Sequence, residues 1–168
     1  FTQITLVTTC IAQAKVVRKL GVIPDVCAGL SLGEYPALIS SGAMSFKDGL
    51  DLVRKRGIYM DNALPVGISS MSAVIGLAGE DVQRICNETK GVISVANYNC
   101  PGQVVISGEN KAVEEASEEL LVNGARRVVK LNVSGAFHSP LLKEAGSKLL
   151  EALGDISIKD PDIPYVSN

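Results

Sequence analysis

The stretch "GLSLGEY" sets Ser31 between Gly29 and Gly33, where an apolar run gives way to a helical pattern. A serine spaced G-x-S-x-G at a strand-to-helix joint sits on a sharp turn that pushes its hydroxyl outward, with glycines where side chains would crowd. In that posture the N–H of Leu32 and the positive end of the following helix face a developing oxyanion. The same residues fit a plainer role. Ser31 with Glu34 three residues later matches a capping box, in which the hydroxyl bonds a helical N–H and the carboxylate reaches back. One serine can serve both.

His138 is the single histidine of the chain. It precedes a helical pattern that has Ser139 at the cap position and Pro140 at the first helical position. A helix N-terminus disfavours imidazolium and keeps the ring available as a base, the form that serine activation needs. A surface or packing role fits the same position.

"LVRKRGIYM" carries three cations on one helix. Its apolar stripe runs through Phe46, Leu50, Val53, Gly57, Met60 and Leu64, which turns Lys55 directly away. Arg54 and Arg56 then flank the buried face by roughly 80° on opposite sides. Spacing does not choose between them. A guanidinium beside a serine nucleophile would hold an acyl group that ends in a carboxylate by two parallel hydrogen bonds. "NYNCPGQVV" reads as a hairpin turning at Pro-Gly, with a turn role for Asn97 and Asn99 the simpler assignment.

These residues need a scaffold. A helix is expected over residues 2–20, a short strand over 26–30 running into Ser31, a helix at once after it, and another from Ser45, capped with Asp48 three residues on. Pro36, about five residues into its helix, is expected to kink it. From Met71 the pattern reads strand, helix, strand, strand, helix, strand, which is the ferredoxin-like order. A βαββαβ unit over residues 67–131 thus lies between two α/β segments, 1–66 and 132–168, with the serine before it and the histidine after it.

Composition narrows the class. A 168-residue chain that is 46% hydrophobic can bury a core. Sixteen Lys and Arg against eighteen Asp and Glu give no basic excess for nucleic acid or an anionic membrane. No apolar run approaches the roughly 18–20 residues that span a bilayer, and no signal peptide is visible. Cys10, Cys27, Cys86 and Cys100 lack CxxC spacing, which with one histidine makes a poor metal set and fits reduced thiols in a cytoplasm. The opening helix without an initiator Met and the abrupt "DPDIPYVSN" end are those expected of a fragment.

Taken in order, "TTCIAQAKVV", "GLSLGEY", "RKRGIYM", "ANYNCPGQVVISG" and "NVSGAFHSPLL" resemble the malonyl-CoA:acyl carrier protein transacylases of fatty acid synthesis along essentially the whole chain. The resemblance implies an α/β fold: an α/β-hydrolase-like large subdomain, incomplete here, with an inserted ferredoxin-like small one. It also implies Ser31 as the acylated nucleophile, His138 as its base, Leu32 as an oxyanion donor through its backbone N–H, and Arg56 rather than Arg54 as the malonyl carboxylate clamp. Phe137 resembles the malonyl-selective members, whose methylmalonyl-preferring relatives carry a smaller residue there. Met60 and Asn99 match pocket-lining positions. The implied partners are malonyl-CoA and the phosphopantetheine arm of acyl carrier protein, with no metal or redox cofactor.

Departures qualify this. Leu30 stands for a common histidine, and Pro36 for Ser or Ala. The family's upstream strand and "GQGSQ"-like loop, which completes the oxyanion hole, and its later segment that orients the histidine have no counterpart in this sequence. Loss of one oxyanion donor costs about 100-fold or more, so the chain alone is expected to have weak or no activity. Three other readings share the motifs: an α/β-hydrolase esterase or thioesterase, a non-catalytic carrier-binding remnant, and a polyketide synthase transacylase domain. The first needs an acid between serine and histidine in chain order. "VVKLNVSGAFH" has none close before His138, only remote candidates such as Asp81.

Overall fold

The computed structural model describes residues 1–133 and 135–168. Ser134, which opens the "SGAFH" loop, lies outside the described residues. In chain order the elements are α1 (Thr2–Lys19), β1 (Cys27–Ala28), a 3₁₀ turn (Ser31–Gly33), α2 (Glu34–Ser40), α3 (Phe46–Asp61), β2 (Ser69–Ile75), α4 (Gly79–Glu88), β3 (Ile93–Cys100), β4 (Gln103–Glu109), α5 (Asn110–Val122), β5 (Arg127–Lys130), a second 3₁₀ turn (Pro140–Leu142), α6 (Lys143–Gly154) and β6 (Tyr165–Val166). The chain divides into two compact units, Phe1–Tyr59 with Lys148–Asn168, and Met60–Ser147. No helix among the described residues is long and apolar enough to cross a membrane.

In the first unit β1 and β6 pair in parallel, Cys27 with Tyr165 and Ala28 with Val166. That pairing brings residues more than 130 positions apart to the end of the strand from which Ser31 emerges. The helices pack on one another through Val7 and Ile11 of α1, Val53 of α3, and Leu32, Tyr35 and Ile39 around them. Arg18 in the last turn of α1 donates from Nη2 to the Ser40 carbonyl at 2.5 Å, tying the ends of α1 and α2 together. Helix α2 closes on a Schellman motif, with Gly42 N–H to Ile39 C=O at 3.2 Å and Ala43 N–H to Leu38 C=O at 3.0 Å. Gly42 supplies the positive φ of 87° that this motif needs. Helix α3 starts as expected: Ser45 Oγ accepts from the Asp48 N–H at 3.0 Å and donates to the Asp48 carboxylate at 2.7 Å.

Two expectations for these helices are corrected. Pro36 is the third residue of α2, inside a first turn whose N–H groups have no intrahelical acceptor, so it breaks no ladder bond of that helix. The buried face of α3 is Gly49, Leu52, Val53 and Arg56, while Phe46 is 37% exposed. Relative to the apolar stripe of the sequence this face is rotated by roughly 70°, at 100° per residue. The helix buries an arginine where a hydropathy pattern puts its boundary.

The second unit has the expected βαββαβ order. Its four strands are antiparallel in the spatial order β3-β4-β2-β5. Val74 of β2 and Val104 and Ile106 of β4 meet Val82 and Ile85 of α4 and Val113 and Leu120 of α5 in one core. Each large aliphatic residue so buried stabilises the unit by roughly 1.5–3 kcal/mol relative to exposure. Cys100 pairs with Gln103 across a two-residue Pro101-Gly102 turn, and Gly102 takes the positive φ of 75° there. Asn97 and Asn99 therefore belong to the strand and not to the turn. Register shifts fall between Val95 and Asn97 and between Tyr98 and Cys100, which makes Asn99 the extra residue of a bulge.

Candidate active site

Ser31 leaves β1 through Gly29 and Leu30 and enters its 3₁₀ turn with φ 52°. It shares a positive φ with only one other non-glycine residue among those described, His138 at φ 59°. Such a backbone costs on the order of 1–3 kcal/mol and persists where its surroundings enforce it. Gly29 is part of the enforcement. A Cβ there would fall on the carbonyl of Gly33 and the backbone nitrogen of Glu34, whereas a Cβ on Gly33 would meet nothing within 4 Å. The expectation that both glycines relieve crowding holds for Gly29 alone.

The capping box does not form. Leu30, not Ser31, occupies the N-cap of the 3₁₀ turn, and no side chain caps it. Glu34 turns to the C-terminal strand instead, where its carboxylate accepts from the Tyr165 hydroxyl and from the Asn168 N–H at 3.3 Å. The Ser31 N–H, which a capping-box glutamate would take, donates to Asn168 Oδ1 at 2.5 Å. The turn's own bonding begins with Gly33 N–H on the Leu30 carbonyl at 2.9 Å. The Leu32 N–H precedes that first bond.

Arg56 is the arginine that turns inward, at 9% exposed, while Arg54 is exposed. Its Nη2 donates to Ser31 Oγ at 3.1 Å and its Nη1 to Gln3 Oε1 at 2.5 Å. The guanidinium lies over the Tyr35 ring, 5.8 Å from the centroid. Burial pulls the Arg56 pKa down and Tyr35 pulls it back up; burial likewise raises Tyr35, against the lowering effect of Arg56. Arginine nonetheless stays protonated at neutral pH. Among the described residues no Asp or Glu lies within ion-pair distance of it. A buried cation held only by neutral groups carries an uncompensated desolvation cost of several kcal/mol, which an arriving anion would offset.

The structure thus brings together Ser31, Leu32 and Arg56, three of the residues expected at the site, gives Glu34 a bond to Tyr165 in place of the expected cap, and adds Gln3, Tyr35, Tyr165 and Asn168. Gln3 and Asn168 stand far from Ser31 in sequence and belong to no local motif, so nothing short of the fold marks them. Tyr35, by contrast, closes the "GLSLGEY" stretch itself. The other candidates belong to the second unit. His138 is exposed, in the turn before Pro140–Leu142, where Ser139 takes the N-cap position and donates its hydroxyl to the Ala136 carbonyl at 2.8 Å. Phe137 and Met60 are half-buried, and Asn99 is exposed on its bulge. No group of three His, Cys, Asp or Glu side chains among the described residues is placed to hold a metal ion.

Comparison with known proteins identifies the family. A family model described as "Acyl transferase domain" matches residues 1–168. The chain is 47% identical over 169 residues to a malonyl CoA-acyl carrier protein transacylase of Bacillus subtilis, covering 99% of this chain and 53% of that protein. A solved malonyl CoA-acyl carrier protein transacylase from Coxiella burnetii superimposes with a TM-score of 0.96 at 40% identity, over 99% of this chain and 54% of that one. A malonyl-transacylase solved in complex with a type II PKS acyl-carrier protein matches at 0.96 and 40% identity, over 99% and 55% of the two chains. The chain spans about half the length of the curated relatives it matches.

Proposed function

The chain belongs to the acyl transferase domain family, and from that premise we propose that its protein moves a malonyl group from malonyl-CoA to the phosphopantetheine thiol of acyl carrier protein in fatty acid biosynthesis. The observation that carries this reading is the buried Arg56 guanidinium donating to Ser31 Oγ at 3.1 Å with no carboxylate of its own among the described residues. A neutral acyl group has no use for such a cation beside the nucleophile. An acyl group that ends in a carboxylate does, because the guanidinium can hold it by two parallel charge-assisted hydrogen bonds.

The reaction runs in two halves. His138 takes the Ser31 proton as Oγ attacks the thioester carbonyl; the C–O bond forms and the tetrahedral oxyanion sits against the Leu32 N–H. Collapse breaks the C–S bond, and coenzyme A leaves as the thiol with the proton from His138. The phosphopantetheine thiol then gives its proton to His138, attacks malonyl-Ser31 and expels Oγ, which recovers the proton. Ping-pong kinetics follow. On this reading Phe137 favours malonyl over bulkier acyl groups, and Met60 and Asn99 are further substrate-binding residues. The residues do this without a resident cofactor.

The same reading covers architecture and setting. The parallel β1–β6 pair with its helices suits an α/β-hydrolase-like large subdomain over residues 1–66 and 132–168, and the order β3-β4-β2-β5 suits a ferredoxin-like insert over 67–131. A substrate pair of coenzyme A thioester and carrier protein suits a cytoplasmic enzyme. The test is intact-mass spectrometry of the whole protein after mixing with malonyl-CoA, with Ser31→Ala as control. A malonyl adduct that the control lacks is the expected result. An adduct that persists in Ser31→Ala would overturn the assignment of the nucleophile, and none on either protein would overturn the reading of this chain as a malonyl acceptor.

A further inference from the structure

The strained posture of Ser31 has a holder outside its own turn. Three contacts from β6 and the residues just after it converge on the elbow: Asn168 Oδ1 on the Ser31 N–H at 2.5 Å, the Asn168 N–H on Glu34 at 3.3 Å, and the Tyr165 hydroxyl on the same Glu34 oxygen. The parallel pairing of Cys27 with Tyr165 and Ala28 with Val166 sets the register that makes them meet. A backbone N–H can only donate, so the amide oxygen of Asn168 faces it. We propose that Asn168, steadied by Glu34 and Tyr165, is a positioning residue for the nucleophile: it holds the Ser31 N–H and so fixes the left-handed backbone from which Oγ is presented.

The geometry gives this contact two consequences. A residue at φ 52° returns toward the ordinary right-handed or extended regions unless its neighbours oppose it. Gly29 only permits the turn, whereas the Asn168 bond is lost if Ser31 rotates its N–H away, so it opposes that rotation directly. Because Asn168 occupies the Ser31 N–H, that group is also withheld from the oxyanion, and the duty passes to the next N–H, that of Leu32. Tyr165 stays a donor across the working range, since burial and the Glu34 carboxylate push it up to about 12. The carboxylate of Glu34 thereby serves β6 rather than its own helix.

This inference rests on Ser31 being a nucleophile, but it can be tested without malonyl-CoA. Phenylmethanesulfonyl fluoride labels an activated serine by loss of fluoride, and mass spectrometry gives both the rate constant and the final labelled fraction at Ser31. Misfolding lowers the labelled fraction; a misplaced hydroxyl lowers the rate constant at full labelling. Asn168→Ala should slow labelling about tenfold or more at full extent, on the scale of one lost hydrogen bond to a reacting group. Asn168→Asp, which keeps an acceptor oxygen at the same place, should recover most of the rate. Tyr165→Phe keeps the strand pairing and should give a smaller slowing, and it carries the test if Asn168→Ala does not fold. Labelling at the wild-type rate in Asn168→Ala or, where that variant does not fold, in Tyr165→Phe would overturn the proposal. So would equal slowing in Asn168→Ala and Asn168→Asp. Normal sulfonylation without a malonyl adduct would refute the proposed function and leave this inference standing.

Discussion

Arg56 Nη2 stands 3.1 Å from Ser31 Oγ, so the one arginine that α3 buries points at the hydroxyl the elbow exposes. Under the proposed function this pair is a nucleophile beside a reader of acyl charge. Arg56→Ala should lower malonyl loading of Ser31 about 10- to 100-fold, the worth of a charge-assisted hydrogen bond to a carboxylate. Acetyl loading should hold or rise, because it loses no partner. Both rates come from the same mass-spectrometric time course, and equal loss of the two would remove the clamp role.

The elbow glycines are not equivalent. Gly29→Ala would drive a Cβ into the Gly33 carbonyl, so it should destabilise the protein by several kcal/mol or prevent folding. Gly33 has φ −64° and ψ −18° and open space at its Cβ position. Gly33→Ala should therefore be neutral or stabilising by about 0.4–1 kcal/mol, through the lower entropy of the unfolded chain. Urea unfolding of the two variants separates them, and a Gly33→Ala loss as large as that of Gly29→Ala would show that Gly33 is constrained by more than the space at its Cβ.

What the sequence disclosed followed the range of each signal. Ser31 was legible because its glycines and the strand before it are neighbours, and the βαββαβ order because strand and helix periods differ along each segment. Arg56 was not, because a periodicity argument scores it as polar and swings the stripe of α3 toward Phe46, away from the face that is buried. The resemblance to a family, and not spacing, chose it over Arg54. Pro36 gives no kink of the kind its sequence position suggests, because a 3₁₀ turn precedes α2 and shifts the proline into the opening turn of that helix. The Asn168, Tyr165 and Gln3 contacts depend on β6 and α1 folding back onto the elbow, and no local pattern encodes them.

Selectivity is expected to track Phe137. Its replacement by serine should raise loading of methylmalonyl relative to malonyl if, as the proposed function has it, Phe137 selects for the smaller acyl group. A methyl group's worth of pocket discriminates by about 10-fold or somewhat more. Competition between the two thioesters, read as the ratio of Ser31 adduct masses, measures it; an unchanged ratio with intact malonyl loading would place Phe137 outside the pocket.

Alkaline stability should turn on Cys86. This thiol is 2% exposed in the core of the second unit, and burial pushes its pKa from 9.0 up to about 11. Between those values the unfolded chain releases the proton while the folded one keeps it, so the unfolded state binds fewer protons and stability falls as pH rises. The stabilisation is whole below pH 9 and is lost by about 2–3 kcal/mol on the way to pH 11, at 1.36 kcal/mol per unit. Cys86→Ala leaves a small cavity and costs stability at every pH, but it has no thiol to titrate. The gap between wild type and Cys86→Ala, measured by denaturant unfolding, should thus be widest at pH 8 and narrow toward pH 11. Tyrosines that ionise in the same range contribute equally to both proteins and cancel in the difference. A gap that stays constant from pH 8 to pH 11 would mean the thiol is not held protonated by burial.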